Sequence, residues 1–175
     1  MKYGDAIKKS MEMIAEDEKA IFIGYNINFG SKGYGTLKDI PESKKIETPV
    51  AENLMMGLAI GMAIEGFKPV VFFERQDFML IALDAIVNHL DKIEQMSEGQ
   101  FKTPVIIRAP IGGVNPLNPG PQHTQDFSEV LKKIVKRIDV YEPKTPQEIL
   151  DTYKKIKDLG KSAIVIEKKD LYGSE

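Results

Sequence analysis

Glu52 has the most favourable placement for chemistry in this chain. It closes the run Glu47-Thr48-Pro49-Val50-Ala51-Glu52 and leads into Asn53-Leu54-Met55-Met56-Gly57-Leu58-Ala59-Ile60-Gly61-Met62-Ala63. An acid at the head of a mostly apolar helix has two readings: it complements the positive end of the helix dipole, or it is withdrawn from water and shares a proton with a ligand. His123 lies in Gly120-Pro121-Gln122-His123-Thr124-Gln125, a rigid loop just ahead of a helix start. An imidazole there either moves protons in a cleft near neutral pH or is a solvated loop histidine. His89 falls beside the apolar stripe of its helix and reads as structural. Arg108 ends an apolar strand, where a cation pairs with a carboxylate or meets an anionic ligand. Phe78 follows Asp77 at a helix start, so its ring projects toward the strand ends or packs in the core.

Other chemistries are excluded by residue type. The chain has no cysteine and two histidines, with no acid cluster at ligand spacing, so no metal site is expected. Glycines 24, 30, 33 and 35 do not spell G-x-G-x-x-G, and no G-x-x-x-x-G-K-[ST] occurs, which argues against a nucleotide phosphate loop. The formal charge is −2 with both signs scattered along the chain, so no nucleic-acid footprint is present. The polar start Met1-Lys2-Tyr3-Gly4-Asp5 lacks a secretory apolar segment, and the expected compartment is the cytoplasm.

These groups need elements to position them. Ile7, Met11 and Ile14 recur at helical spacing up to about Glu18, and Ala20-Ile21-Phe22-Ile23 is a short buried strand. Residues 24 to 47 read as one long loop, of the kind that is more often functional than idle. Thr48 is expected to cap the next helix, with Pro49 in its first turn, Gly66 closing it and Pro69 just beyond. Gly57 and Gly61 each cost that helix about 1 kcal/mol relative to alanine, so their shared face is expected to meet another backbone or a ligand. Its eleven mostly apolar residues are too few to span a bilayer, which takes about 20, and predict a buried helix of a soluble protein.

Lys68 to Phe73 is the next strand, and Asp77 is expected to cap a long helix with Leu80, Leu83, Val87, Leu90 and Ile93 inward. A strand over Thr103 to Arg108 follows, then a proline- and glycine-rich loop over 110–125. A helix over Asp126 to Lys136 comes next, with Phe127, Val130, Leu131 and Ile134 inward, and then a strand over Ile138 to Tyr141. Thr145-Pro146-Gln147-Glu148 is a capping box for a helix ending at Gly160, and Ala163 to Ile166 is the last strand. Alternation of this kind implies one α/β domain over 1–175, a three-layer, doubly wound, mainly parallel sheet with helices on both faces. Ligands bind such sheets beyond the carboxyl ends of the strands.

Six motifs together resemble one family. They are Thr48-Pro49-Val50-Ala51-Glu52 with its glycine helix, Gly66-Phe67-Lys68-Pro69-Val70-Val71, Asp84-Ala85-Ile86-Val87-Asn88, Met96-Ser97-Glu98-Gly99-Gln100, Pro104-Val105-Ile106-Ile107-Arg108-Ala109-Pro110 and Pro121-Gln122-His123-Thr124-Gln125. The family is the transketolase-like pyrimidine-binding domain of thiamine diphosphate enzymes, and the chain is most similar to the β subunit of 2-oxo acid dehydrogenase E1 components. The resemblance implies that Glu52 hydrogen-bonds N1′ of the cofactor's aminopyrimidine and favours the imino tautomer that deprotonates C2. It implies that Phe78 packs on the pyrimidine and that His123 contacts substrate or relays protons. It brings Asn26 and Gln76 into the same pocket, at positions where the family often carries an acid and an aromatic.

The chain has no Gly-Asp-Gly segment followed by an asparagine, and it stops where β subunits and transketolases continue into a further C-terminal domain, as expected either of a piece of a longer chain or of a naturally split enzyme. The resemblance therefore implies a separate α-type chain that binds the diphosphate and Mg²⁺, in a homodimer or heterotetramer acting on a small 2-oxo acid or ketose. Two alternatives remain open: a split transketolase-like enzyme of sugar metabolism, and a non-catalytic assembly or regulatory module with the same fold.

Overall fold

The computed structural model describes residues 1–114 and 118–174, so residues 115–117 of the expected 110–125 loop lie outside the described residues. Six strands form one parallel sheet: β1 (Ala20–Gly24), β2 (Lys45–Glu47), β3 (Lys68–Phe72), β4 (Ile106–Ile111), β5 (Asp139–Tyr141) and β6 (Ala163–Lys168), in the order β2-β1-β3-β4-β6-β5. The central register sets Phe22 opposite Val70, Val71 opposite Ile107, and Ile107 opposite Ile164. Because side chains alternate across a strand, these runs feed two cores. Ile21, Ile23, Val71, Phe73, Ile107, Ile164 and Ile166 face one layer, while Phe22, Val70, Phe72, Ile106 and Val165 face the other.

The second layer is closed by α1 (Tyr3–Ala15) and α6 (Pro146–Lys157), which pack on each other. Tyr3, Ile7, Met11 and Ile14 of α1 and Ile149, Tyr153 and Ile156 of α6 supply the apolar stripes. Thr145 caps α6 as expected, its hydroxyl accepting from the Glu148 amide at 3.2 Å, and Glu148 Oε2 accepts from the Lys144 amide at 2.7 Å. The first layer holds α2 (Glu52–Ile64), a broken helical segment over 76–96 and α5 (Ser128–Ile134). Gly66, at φ +86°, ends α2 in a Schellman turn, with the Gly66 amide on Ala63 O and the Phe67 amide on Met62 O.

Several expectations are corrected. The 24–47 segment is not all loop: a 3₁₀ turn over Glu42–Lys44 leads into β2 at the sheet edge. With Ile46 as its one apolar residue, β2 carries no strand signal of its own. The fourth strand starts later and runs further than Thr103 to Arg108, because β6 pairs with it out to Ile111. The helix after β3 is not continuous. It runs through α3 (Gln76–Met79), a 3₁₀ turn at Leu80–Ala82, a π turn at Ala85–Leu90 and α4 (Ile93–Met96). These changes of pitch rotate the buried stripe onto Met79, Ala82, Ala85, Ile86 and Leu90, and leave Leu80 partly exposed. In α5 only Leu131 of the expected four is fully buried, and Val130 faces solvent. No helix among the described residues is long and apolar enough to cross a membrane.

Candidate active site

From β1 the chain passes to β2 on one side, and through α2 to β3 on the other, so the strand order reverses beside β1. A crevice opens at the carboxyl ends of strands at such a reversal. The segments that leave β1 and β3 there, and the head of α2, hold most of the residues singled out above.

The segment after β1 is fixed by a single acid. The Glu47 carboxylate accepts from three successive amides, Asn26 at 2.6 Å, Ile27 at 3.0 Å and Asn28 at 2.7 Å, which holds Asn26 in the left-handed region at φ +55°. Asn26 Nδ2 donates to Glu74 Oε1 at 3.0 Å, and the Tyr34 hydroxyl donates to the Glu74 carbonyl at 2.9 Å. Burial pushes the Tyr34 phenol up to about 12. Asn26 thereby joins the exits of β1 and β3.

Glu52 is the first residue of α2 and is 3% exposed. The Tyr25 hydroxyl, also buried, donates to Glu52 Oε1 at 3.0 Å, and Oε2 accepts nothing among the described residues. Burial, and then the Glu52 carboxylate, hold the Tyr25 phenol far above its ordinary range. Thr48 is not the cap of this helix. Three residues separate it from Glu52, too many for its hydroxyl to reach the first free amides, and its own amide instead extends the sheet onto Gly24 O at 2.9 Å.

Phe78 and His123 meet edge to face with ring centroids 5.2 Å apart, the half-buried imidazole coming from the 3₁₀ turn Pro121–His123 after β4. Arg75 anchors that turn from below, donating to the His123 carbonyl at 2.8 Å and to the Gly112 carbonyl. Asp77 does not cap its helix, which begins at Gln76. Its Oδ1 accepts from the Gln125 amide at 3.3 Å and the Gln125 side chain at 3.0 Å, a second tie on the His123 loop. Gln76 is fully buried, and its Oε1 accepts from the Phe127 amide. His89 is exposed in the π turn, 3.4 Å from the Asp84 carboxylate, and lines a surface cleft with Asn53 and Gly57 of α2. Arg108 pairs with buried Glu167, so of its two readings the carboxylate partner holds.

Six buried side-chain polar atoms among the described residues have no hydrogen-bond partner, and five belong to Asn28, Thr48, Gln76, Asp77 and His123. All five stand on segments leaving the carboxyl ends of β1 to β4. Buried polar atoms normally find partners, so their concentration at one edge marks a place where a ligand or water completes the structure.

Sequence reasoning gave no role to Tyr25, Glu47, Glu74 or Arg75. Arg75 carried a usable signal, a cation directly after an apolar strand, the same one that drew attention to Arg108. Glu47 and Glu74 carried none, because their partners are backbone amides and side chains brought together only by the sheet.

Comparison with known proteins agrees with the fold and with the family resemblance. Residues 1–174 match the family described as "Transketolase, pyrimidine binding domain", and the chain belongs to that family. It is 32% identical over 135 residues to the pyruvate dehydrogenase E1 component subunit beta of Gracilaria tenuistipitata var. liui, covering 74% of this chain and 41% of that protein. It is 30% identical over 165 residues to the corresponding subunit of Cyanidium caldarium, covering 92% of this chain and 47% of that one. The chain thus spans less than half the length of these curated relatives. A solved structure titled "Split gene transketolase, inactive beta4 tetramer" shares the fold with a TM-score of 0.73 at 19% identity, over 99% of this chain and 51% of that chain.

Proposed function

We propose that this chain is the pyrimidine-binding part of a thiamine diphosphate enzyme, active with a diphosphate-binding partner in 2-oxo acid decarboxylation or two-carbon ketol transfer. The observation that carries the proposal is the Glu52 carboxylate, buried at the head of α2 with one oxygen held by Tyr25 and the other uncommitted. The cofactor, when bound, supplies an acidic C2–H whose loss creates a carbon nucleophile. Glu52 holds the proton that a pyrimidine nitrogen needs for that step, in surroundings dry enough for acid and ring to share it.

Phe78 offers its ring as a packing surface, and His123, set edge-on against it, has an imidazole nitrogen placed for a proton at the reacting end. Asn26 and Gln76 border the same pocket. The uncommitted polar atoms at this edge fit a polar aromatic ligand better than an apolar one. In this reading the diphosphate and Mg²⁺ belong to the partner. The compartment we assign is the cytoplasm, supported by a cysteine-free composition that has no use for an oxidising environment.

Partner dependence is supported by α2 itself. Val50, Leu54, Gly57, Gly61 and Ile64 leave an apolar strip at the surface, with nothing within 4 Å of where a Cβ would stand on either glycine. A second reading, a non-catalytic assembly module, is favoured by Gln76, whose side chain turns inward onto the Phe127 amide.

Calorimetric titration of thiamine diphosphate with Mg²⁺ tests the proposal on three samples: this chain, its cognate diphosphate-binding chain, and the two mixed. Tight binding is expected for the mixture and at least 10-fold weaker binding for either chain alone, a loss of about 1.4 kcal/mol or more. A mixture that binds no better than its parts would contradict it.

A further inference from the structure

The Glu52 carboxylate has two oxygens, and the fold treats them differently. Oε1 accepts from the Tyr25 hydroxyl at 3.0 Å, while Oε2 accepts nothing among the described residues. Tyr25 is itself buried, one residue beyond β1, on a segment locked by the Glu47 amide cradle and by the Asn26–Glu74 bond. The backbone that carries the phenol is therefore fixed, and burial holds the ring against Glu52. We propose that Tyr25 is the positioning residue for Glu52, fixing the carboxylate through Oε1 so that Oε2 is the oxygen presented to a ligand nitrogen.

The inference rests on the reading of Glu52 given above and extends it by giving the residue that holds Oε1 a role of its own. A hydrogen bond to the charged form of an acid favours that form. Tyr25 thus stabilises the carboxylate that remains after Glu52 hands its proton to a ring nitrogen. The phenol is held too high to ionise near neutral pH, so it acts as a donor across the working range and carries no proton away.

The titratable groups bearing on Tyr25 are Glu52, Glu74 and Tyr34. On the elements packed against α2, the ionisable side chains are Lys68 at the exposed start of β3 and His89 on the π turn, with β1 and the 80–82 turn contributing none. Neither Lys68 nor His89 replaces the Tyr25 donor at Oε1.

The test is ¹³C NMR of the Glu52 side-chain carboxyl in the full chain, with no cofactor and at one fixed pH, for the native protein and Tyr25→Phe. The phenylalanine keeps the shape and removes only the donor. We expect the carboxyl resonance to be displaced in Tyr25→Phe, because Oε1 loses its hydrogen bond. Superimposable spectra would overturn the inference.

In the complex with the diphosphate-binding chain, the acidic limb of the pH profile for exchange at cofactor C2 should move to higher pH in Tyr25→Phe. A purely structural role for Tyr25 would lower the rate and leave that limb in place, which also counts against the inference. Glu52→Gln gives an independent reading: without the carboxylate, the Tyr25 phenol should ionise at lower pH than in the native chain. The chain-alone measurements stand whether or not thiamine diphosphate binds, so failure of the positioning role is distinct from failure of the cofactor assignment.

Discussion

Arg108 shows how this fold handles a charge that has no access to water. Its Nε and Nη2 donate to the two oxygens of Glu167 at 2.7 and 2.9 Å, Nη2 also reaches Thr36, and the hydroxyls of Tyr153 and Tyr172 complete the acid's partners. Burial alone would weaken the guanidinium's hold on its proton, but Glu167 outweighs it and pushes Arg108 up. Burial, then Glu167, push both tyrosines well above their usual range. Replacing one member of a buried pair leaves the other charge uncompensated, so Arg108→Met should cost about 3–5 kcal/mol in denaturant unfolding. Adding Glu167→Gln should recover a large part of it. A loss under 1 kcal/mol for the single variant would mean that the pair is not what ties β4 to β6. The sequence marked Arg108 as a cation in an apolar strand but could not choose its partner, since Glu167 lies 59 residues away and is brought close only by the β4–β6 register.

Among the elements, α2 is the one whose sequence and environment disagree most within this chain. Its residues are apolar on nearly every side, yet the face bearing Leu54, Gly57 and Gly61 is open. Neither Gly57 nor Gly61 has a positive φ, and neither has a neighbour to clash with a side chain, so the chain alone does not require glycine there. Gly57→Ala should therefore stabilise the isolated chain by about 0.5–1 kcal/mol, the helix-propensity difference, while Gly57→Leu should fold normally and abolish complex formation in sedimentation velocity. A leucine variant that assembles like the native chain would place the partner elsewhere. The sequence located this helix and its end at Gly66, because the apolar run is long, but it set the start about three residues early by taking Thr48 as the cap and Pro49 as the first turn. It could not show β2, which carries one apolar residue, or the π turn at 85–90, where the apolar spacing looks helical and only packing reveals the change of pitch.

At the scale of the whole molecule, the three-layer arrangement was legible because β1, β3, β4 and β6 are short unbroken apolar runs separated by helical periodicities, and parallel order follows from that alternation. The candidate site was legible in part. Glu52, Phe78 and His123 could be singled out one at a time, but the Tyr25–Glu52 bond, the edge-to-face contact of Phe78 with His123 and the five uncommitted polar atoms exist only once the sheet is folded. The chain spans less than half the length of these curated relatives, and the proposed reading gives the rest of the site to a partner. The most direct test of the account is hydrogen–deuterium exchange at C2 of thiamine diphosphate, in the chain combined with its diphosphate-binding partner and Mg²⁺. Rapid exchange is expected with the native chain and a drop of about 10² or more with Glu52→Gln, whereas equal rates for the two proteins would contradict the role given to Glu52.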